Sequence, residues 1–331
     1  MTTLPSDLQK AAEFIEKHDD FLLMTHERPD GDAIGSIFGL LNLLRNHGKS
    51  AEAVLPDEIP DKYLSFLPSN YRTDISSVEI AMHQCCIILD TPNRSRVGIG
   101  PGLKCEQIGI PIILLDHHPD NMRYGQINVV QPEVSSTAEL LFMLSKELRS
   151  WEVTPDVATL WMLGMVMDTG GFRFDNTSAT TLRHAAELLD LKADHHRVML
   201  EMFFSKSLAL QQFEAELFNS HLRTDFEGRF AWIYIPETLI DKYRIKMRDT
   251  EGLIEILRSI RTADIVALIQ RSNDGYKVSL RSKDSRYSVG WIARELNGGG
   301  HEMAAGGKIK NTNFDVAITV LSDLVQKVLN G

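Results

Sequence analysis

The sequence predicts an α/β protein: an N-terminal doubly wound, mainly parallel sheet, joined by a helical connector to a smaller α+β C-terminal domain. Three observations carry this reading. Two nearly continuous apolar runs, Cys86-Ile87-Ile88-Leu89-Asp90 and Pro111-Ile112-Ile113-Leu114-Leu115-Asp116, fit strands buried on both faces of a parallel sheet. Helical patterns alternate with such runs through the first half of the chain. Past residue 221 the pattern changes, and Arg229-Phe230-Ala231-Trp232-Ile233-Tyr234-Ile235 alternates like a half-exposed strand.

In chain order, strands are expected at 21–25, 51–55, 86–90 and 111–115. Helices are expected near 34–47, 136–149, 155–168 and 178–190, where Ser136-Thr137-Ala138-Glu139 has the form of a helix start. Residues 194–221 lack Pro and Gly and read as one long connector helix. A helix near 249–260, strands near 263–271 and 275–281, and helices near 286–296 and 313–329 complete the chain. The expected division is the doubly wound domain over 1–193, the connector over 194–221 and the smaller α+β domain over 222–331.

The 331 residues suffice for two domains with real cores. A net charge of -10 argues against a basic groove for long duplex nucleic acid. It leaves room for a short anionic substrate, because bound divalent cations reverse the local sign. The three cysteines, Cys85, Cys86 and Cys105, show no zinc spacing and point to a reducing compartment. No signal-peptide pattern and no apolar run near the ~20 residues of a membrane span is present. The expectation is a cytoplasmic protein without membrane contact.

Chemistry-bearing residues stand where apolar segments end. The first cluster is His26, Asp30 and Asp32, after Phe21-Leu22-Leu23-Met24; Pro29 and Gly31 make it a tight loop on which the three side chains can converge. The second is Asp90. The third is Asp116-His117-His118-Pro119, and the fourth is Asp168 before Thr169-Gly170-Gly171. Each has a plain structural reading: a turn, a helix cap, a buried histidine pair. Together they point to metal, because a charge at the end of a buried strand is costly unless paired or coordinated. Carboxylates with a few imidazoles suit manganese or magnesium, and the two histidines favour manganese. Two such cations activate water for in-line attack on phosphorus.

The motifs His26-x-x-Pro29-Asp30-Gly31-Asp32, Asp90-Thr91, Asp116-His117-His118-Pro119 and Asp168-Thr169-Gly170 resemble the four motifs of the DHH phosphoesterases. Ser279-Leu280-Arg281-Ser282, and Gly298-Gly299-Gly300-His301 through Ala304-Ala305-Gly306, are similar to the DHH-associated domain of that family. The resemblance spans nearly the whole chain. It is strongest with the oligoribonuclease (nanoRNase) and pAp phosphatase branch.

That resemblance implies roles. His26, Asp30 and Asp90 would hold one cation; Asp32, Asp90, His117 and Asp168 would hold the other, with Asp90 shared. His118 would contact the scissile phosphate or assist proton transfer, with Asp116 behind the histidines. Arg281, Gly299, Gly300 and His301 would bind the substrate. The family often shows four glycines followed by His-Lys-Asn; here Asn297, Glu302 and Met303 depart from that pattern. Asp194-His195-His196 repeats the tripeptide but follows no strand, and Asp194 reads as a helix cap.

The implied function is a manganese-dependent phosphodiesterase that degrades short RNA to nucleoside monophosphates, with 3′-phosphatase activity on pAp. The partners are short oligonucleotides or small phosphorylated nucleotides, and a homodimer is compatible with the chain. The alternatives are a cyclic or linear dinucleotide phosphodiesterase, a family II-like inorganic pyrophosphatase, and a nucleotide-binding protein that lacks metals.

Overall fold

The computed structural model describes residues 4–67, 71, 73, 80–97, 109–250 and 252–331. The chain forms two compact units, Met1–Ser205 and Lys206–Gly331.

The first unit runs α1 (Leu4–Lys17), β1 (Phe21–Met24), α2 (Gly31–Asn46), β2 (Ala51–Val54), β3 (Cys85–Leu89), β4 (Ile112–Asp116), β5 (Ile127–Val130), α3 (Thr137–Glu147), α4 (Pro155–Asp168), α5 (Ala179–Asp190) and α6 (His195–Phe203). Among the described residues its five strands are all parallel, in the order β2-β1-β3-β4-β5. The strand order reverses between β1 and β3, and the carboxyl ends beside such a switch point are where open α/β sheets bind ligands.

Strand residues divide between two cores, as a two-period side-chain pattern requires. Phe21, Leu23, Cys85, Ile87, Leu89, Ile113 and Leu115 join a large core with residues of α1 to α4. Leu22, Met24, Cys86, Ile88, Ile112 and Leu114 join a smaller one with Ile80, Val97, Ile110 and Tyr124. Cys85 and Cys86 are buried; Cys105 lies outside the described residues.

Helices α2 and α4 approach at glycine. A Cβ on Gly35 would lie 2.3 Å from the Leu160 carbonyl oxygen. One on Gly164 would lie 2.5 Å from Ala138 Cβ and 2.7 Å from Asp32 Oδ1. Only residues without Cβ let these helices close, and the contact sets the depth of Asp32.

Three differences from the sequence reading have local causes. Helix α2 starts at Gly31, so Asp32 lies in its first turn instead of in a loop. Asp30 is the cap, its Oδ1 accepting from the backbone N–H of Asp32 and Ala33 at 3.0 and 3.1 Å. The connector expected over 194–221 is two helices, α6 and α7 (Leu208–His221), interrupted at Ser205-Lys206-Ser207. Ser207 starts the second by accepting from Leu210 N–H at 3.1 Å. Strand β5 was not expected; it is a short edge strand whose first two residues are only partly buried, so its apolar pattern is weak.

The second unit begins with α7 and continues with β6 (Leu222–Asp225), β7 (Phe230–Ile235), α8 (Glu237–Tyr243), α9 (Leu253–Arg258), β8 (Ile265–Ser272), β9 (Gly275–Ser282), α10 (Val289–Glu295), β10 (Gly299–Gly300), β11 (Ala304–Ile309) and α11 (Phe314–Asn330). Its sheet order is β10-β11-β9-β8-β7-β6, parallel only between β7 and β8. Tyr234 and Tyr276 pack against Phe314, with ring centroids 4.8 and 5.4 Å away. Among the described residues, no helix is long and apolar enough to cross a membrane.

Candidate metal centre

The site is assembled at the carboxyl ends of β1, β3 and β4. Thr25 follows β1 and donates its hydroxyl to the Leu89 carbonyl at 3.0 Å, tying the ends of β1 and β3 together. His26 is next and is buried. Its Nδ1 lies 2.7 Å from the Glu27 carbonyl, which puts a ring proton there and leaves Nε2 to face the carboxylates, as a donor in the charged ring and as a lone pair in the neutral one. That Nε2 is 3.5 Å from Asp90 Oδ2 and 3.9 Å from Asp30 Oδ1. Arg96 Nη2 approaches Nδ1 at 3.4 Å; with Nδ1 already donating, Arg96 acts as a neighbouring charge.

Asp90 is the central carboxylate. It follows β3 at φ +55, a left-handed conformation that aspartate tolerates better than most residues. Its Oδ2 faces His26, while its Oδ1 lies 3.7 Å from His117 Nε2 and 3.6 Å from His118 Nδ1. His117 Nε2 is also 3.3 Å from Asp168 Oδ2 and 3.9 Å from Asp32 Oδ2. Asp168 is the last residue of α4, a helix with an almost wholly buried interior.

Among the described residues, the ligand-type atoms fall into three groups, each within 4.8 Å: His26, Asp30 and Asp90; Asp32, His117 and Asp168; and Asp90, His117 and His118. The first two contain all six residues expected as metal ligands. Asp116 is in none of them. Fully buried, it accepts from His118 Nδ1 at 2.7 Å, from the backbone N–H of His117 at 2.8 Å and from Asn121 Nδ2 at 2.5 Å. It orients the histidines from behind. Asp194 caps α6 by accepting from Arg197 N–H at 2.9 Å, and among the described residues Asp194, His195 and His196 join no ligand-type group.

The electrostatics describe a site short of positive charge. Burial, then the charges of Asp90 and Asp168, push the Asp32 carboxyl well above the usual range. Burial pushes Asp168 up to about 7 despite the pull of His117. Burial works in the same direction on Asp90, yet the hydrogen bond with His26 and the fields of His118 and His117 hold it well below the usual range. His118 is opposed by burial, but its bond to Asp116 and the charge of Asp90 raise it to about 9. Crowded carboxylate oxygens and imidazole nitrogens, with two acids driven toward neutrality, are a donor set that divalent cations fit.

Several contributors were not anticipated as part of the site. Thr137 N–H and Ala138 N–H donate to Asp32 Oδ2 and Oδ1 at 2.6 and 2.9 Å, and Thr137 Oγ1 donates to Asp90 Oδ1 at 3.2 Å. The sequence marked this stretch as a helix start, and nothing in it showed which carboxylates that helix end would meet. Asn121 carries no motif at all.

In the second unit, Arg281 lies on β9 opposite Ala304, and His301 is in the turn from β10 to β11. Arg281 Nε donates to Glu255 Oε1 at 2.8 Å and Nη1 to the Leu280 carbonyl at 3.0 Å, so part of its fork is engaged. Gly300 has φ +131, and its Cβ would lie 2.6 Å from the Ala304 carbonyl oxygen. Gly299 is exposed, with open space where a Cβ would stand. Asn297, in place of a glycine, sits at φ +55, where asparagine is among the few tolerated side chains. Glu302 faces Arg294 at 3.8 Å.

Residues 20–165 match the DHH family, N-terminal domain, and residues 231–327 match the DHHA1 domain. The chain is 30% identical over 311 residues to the bifunctional oligoribonuclease and PAP phosphatase NrnA of Thermus thermophilus, covering 93% of this chain and 89% of that protein. The chain belongs to the DHH family. As a DHH protein it is a hydrolytic phosphoesterase. It is also 28% identical over 312 residues to the NrnA of Bacillus subtilis, covering 94% of this chain and 95% of that one. The DHH fold is shared with an exopolyphosphatase-related protein from Bacteroides fragilis, at a TM-score of 0.87 and 23% identity over 98% of this chain and 96% of that one.

Proposed function

We propose that the protein is a manganese-dependent phosphodiesterase that degrades short oligoribonucleotides to nucleoside monophosphates and removes the 3′-phosphate of pAp. The observation that carries this reading is the position of Asp90, whose two oxygens face histidines of separate ligand groups. Two of the relatives that bear the oligoribonuclease and PAP phosphatase name, and align over most of their length, supply the substrate class.

In this reading His26, Asp30 and Asp90 hold one cation, and Asp32, Asp90, His117 and Asp168 hold the other. When bound, the pair supplies water activation and neutralises charge on the phosphoryl oxygens. His26 is ready to coordinate through Nε2 because its Nδ1 is committed to Glu27. His118, anchored through Nδ1 to Asp116, binds the scissile phosphate or passes a proton to the leaving oxygen. Arg281 offers Nη2 to a phosphate while Nε stays on Glu255. Gly299 lets the backbone approach the same anion, and His301 adds a donor.

A turnover panel with manganese tests the proposal. It should hold an RNA dinucleotide, a 5′-phosphorylated pentamer, pAp, a cyclic dinucleotide and pyrophosphate. Monophosphates from the first two are expected. An intact RNA dinucleotide would refute the reading, and exclusive turnover of pyrophosphate or the cyclic dinucleotide would replace it.

A further inference from the structure

Behind the metal centre lies a buried polar cluster with no part in the chemistry above. Glu139, on the first turn of α3, is 1% exposed. Its carboxylate has four donors: Ser135 N–H at 2.8 Å, Ser135 Oγ at 2.6 Å, Thr181 Oγ1 at 3.0 Å and His184 Nδ1 at 2.8 Å. Two of these come from α5, so Glu139 fastens residue 135 to a separate helix. Burial alone would raise its pKa, but the bonds from His184 and Ser135 reverse the effect and lower it.

The segment so fastened leads straight to the metal centre. Ser136 caps α3 by accepting from Glu139 N–H at 3.0 Å. Thr137 and Ala138 then present their N–H groups to the two oxygens of Asp32, and Thr137 presents its hydroxyl to Asp90. On the other side, Asn176 Nδ2 donates to the carbonyls of Ser135 and Asp168, each at 3.1 Å. Residues 135–138 therefore touch the side chains of Asp32 and Asp90 and, through Asn176, the backbone of Asp168. Replacing Glu139 alone would leave the donors of Ser135, Thr181 and His184 unpaired, so the carboxylate both stabilises this corner and fixes its geometry.

We infer that Glu139, held by His184 and Thr181, is a positioning residue for the metal centre, acting through residues 135–138 on Asp32 and Asp90. The inference rests on the metal reading above. Each N–H on Asp32 occupies one lone-pair direction and so selects the direction left for a cation. Loosening of residue 135 would let Asp32 and Asp90 rotate without removing any ligand.

Manganese titration by calorimetry tests this in wild type, Glu139→Gln, Thr137→Val and Thr137→Ser. Thermal unfolding of the metal-free proteins and kcat and KM at saturating manganese accompany it. Partners behind metal ligands typically carry about 10–100-fold in affinity. Glu139→Gln is expected to fall in that range, with KM for the RNA dinucleotide unchanged once manganese saturates. Thr137→Val should lose affinity and Thr137→Ser should keep it. If Glu139→Gln does not fold, the Thr137 pair decides alone. Folded Glu139→Gln with wild-type affinity, or equal affinities for the two Thr137 variants, would overturn the inference. No manganese binding by the wild type would sink the metal reading itself and this inference with it.

Discussion

At the scale of single residues the account turns on Asp90, the carboxylate common to two of the ligand groups. Asp90→Asn keeps the volume and removes the charge. It should lower turnover of an RNA dinucleotide by at least about a hundredfold, on the scale of losing one transition-state stabilising group. Less than a tenfold loss would remove Asp90 from its central place. Asp116→Asn addresses the support behind the site. It leaves the ligands in place but turns an acceptor of His118 Nδ1 into an ambiguous partner. The expected result is a lower kcat with manganese affinity nearly unchanged, read by turnover and calorimetry on the same preparation. Loss of affinity with unchanged kcat at saturation would make Asp116 a determinant of metal binding instead.

At the scale of elements, the packing of α2 against α4 carries Asp32. Gly164→Ala would drive a methyl group toward Ala138 Cβ and Asp32 Oδ1, and α4 is too buried for a cheap adjustment. Overpacking of this kind costs about 1–3 kcal/mol, measurable by urea unfolding. Manganese affinity should fall with it, because the displaced atom belongs to a ligand. Stability loss without any change in affinity would show that Asp32 relaxes freely.

The same elements show what could be read from sequence. The apolar runs ending at Asp90 and Asp116 marked two strands and two corners of the candidate metal centre, because a fully buried parallel strand permits few other patterns. The start of α2 was displaced because Asp30-Gly31-Asp32 has turn composition, yet the Asp30 cap lets the helix begin inside it. The break at 205–207 carries neither Pro nor Gly, so nothing in composition stopped the connector. The two-residue β10 consists of glycine and has no strand pattern to read. Glu139 was visible as part of a helix start, but its partners Thr181 and His184 are brought to it only by the packing of α5.

At the scale of the whole molecule, the centre couples stability to protons and metal. His118 is raised from 6.5 to about 9, so its contribution is complete below pH 6.5 and is lost as pH rises through about 9. Asp168 is raised from 3.8 to about 7, so the fold pays an increasing penalty as pH rises from 3.8 through about 7. Both signs agree: the metal-free protein should melt at a higher temperature at pH 6 than at pH 9. In the proposed reading manganese would compete with the protons on these groups, so its stabilising effect should be larger at pH 8 than at pH 6. Scanning calorimetry with and without manganese checks both, and a metal-free Tm that rises from pH 6 to pH 9 would contradict the first.

The central claim is a two-cation phosphodiesterase centre organised around Asp90. Its most direct measurement is the manganese stoichiometry of the wild type and Asp90→Asn, taken together with RNA dinucleotide turnover on the same samples. Two manganese ions per wild-type chain and nucleoside monophosphate product, both lost in Asp90→Asn, are predicted. One ion or none in the wild type, or an intact dinucleotide at saturating manganese, would contradict it.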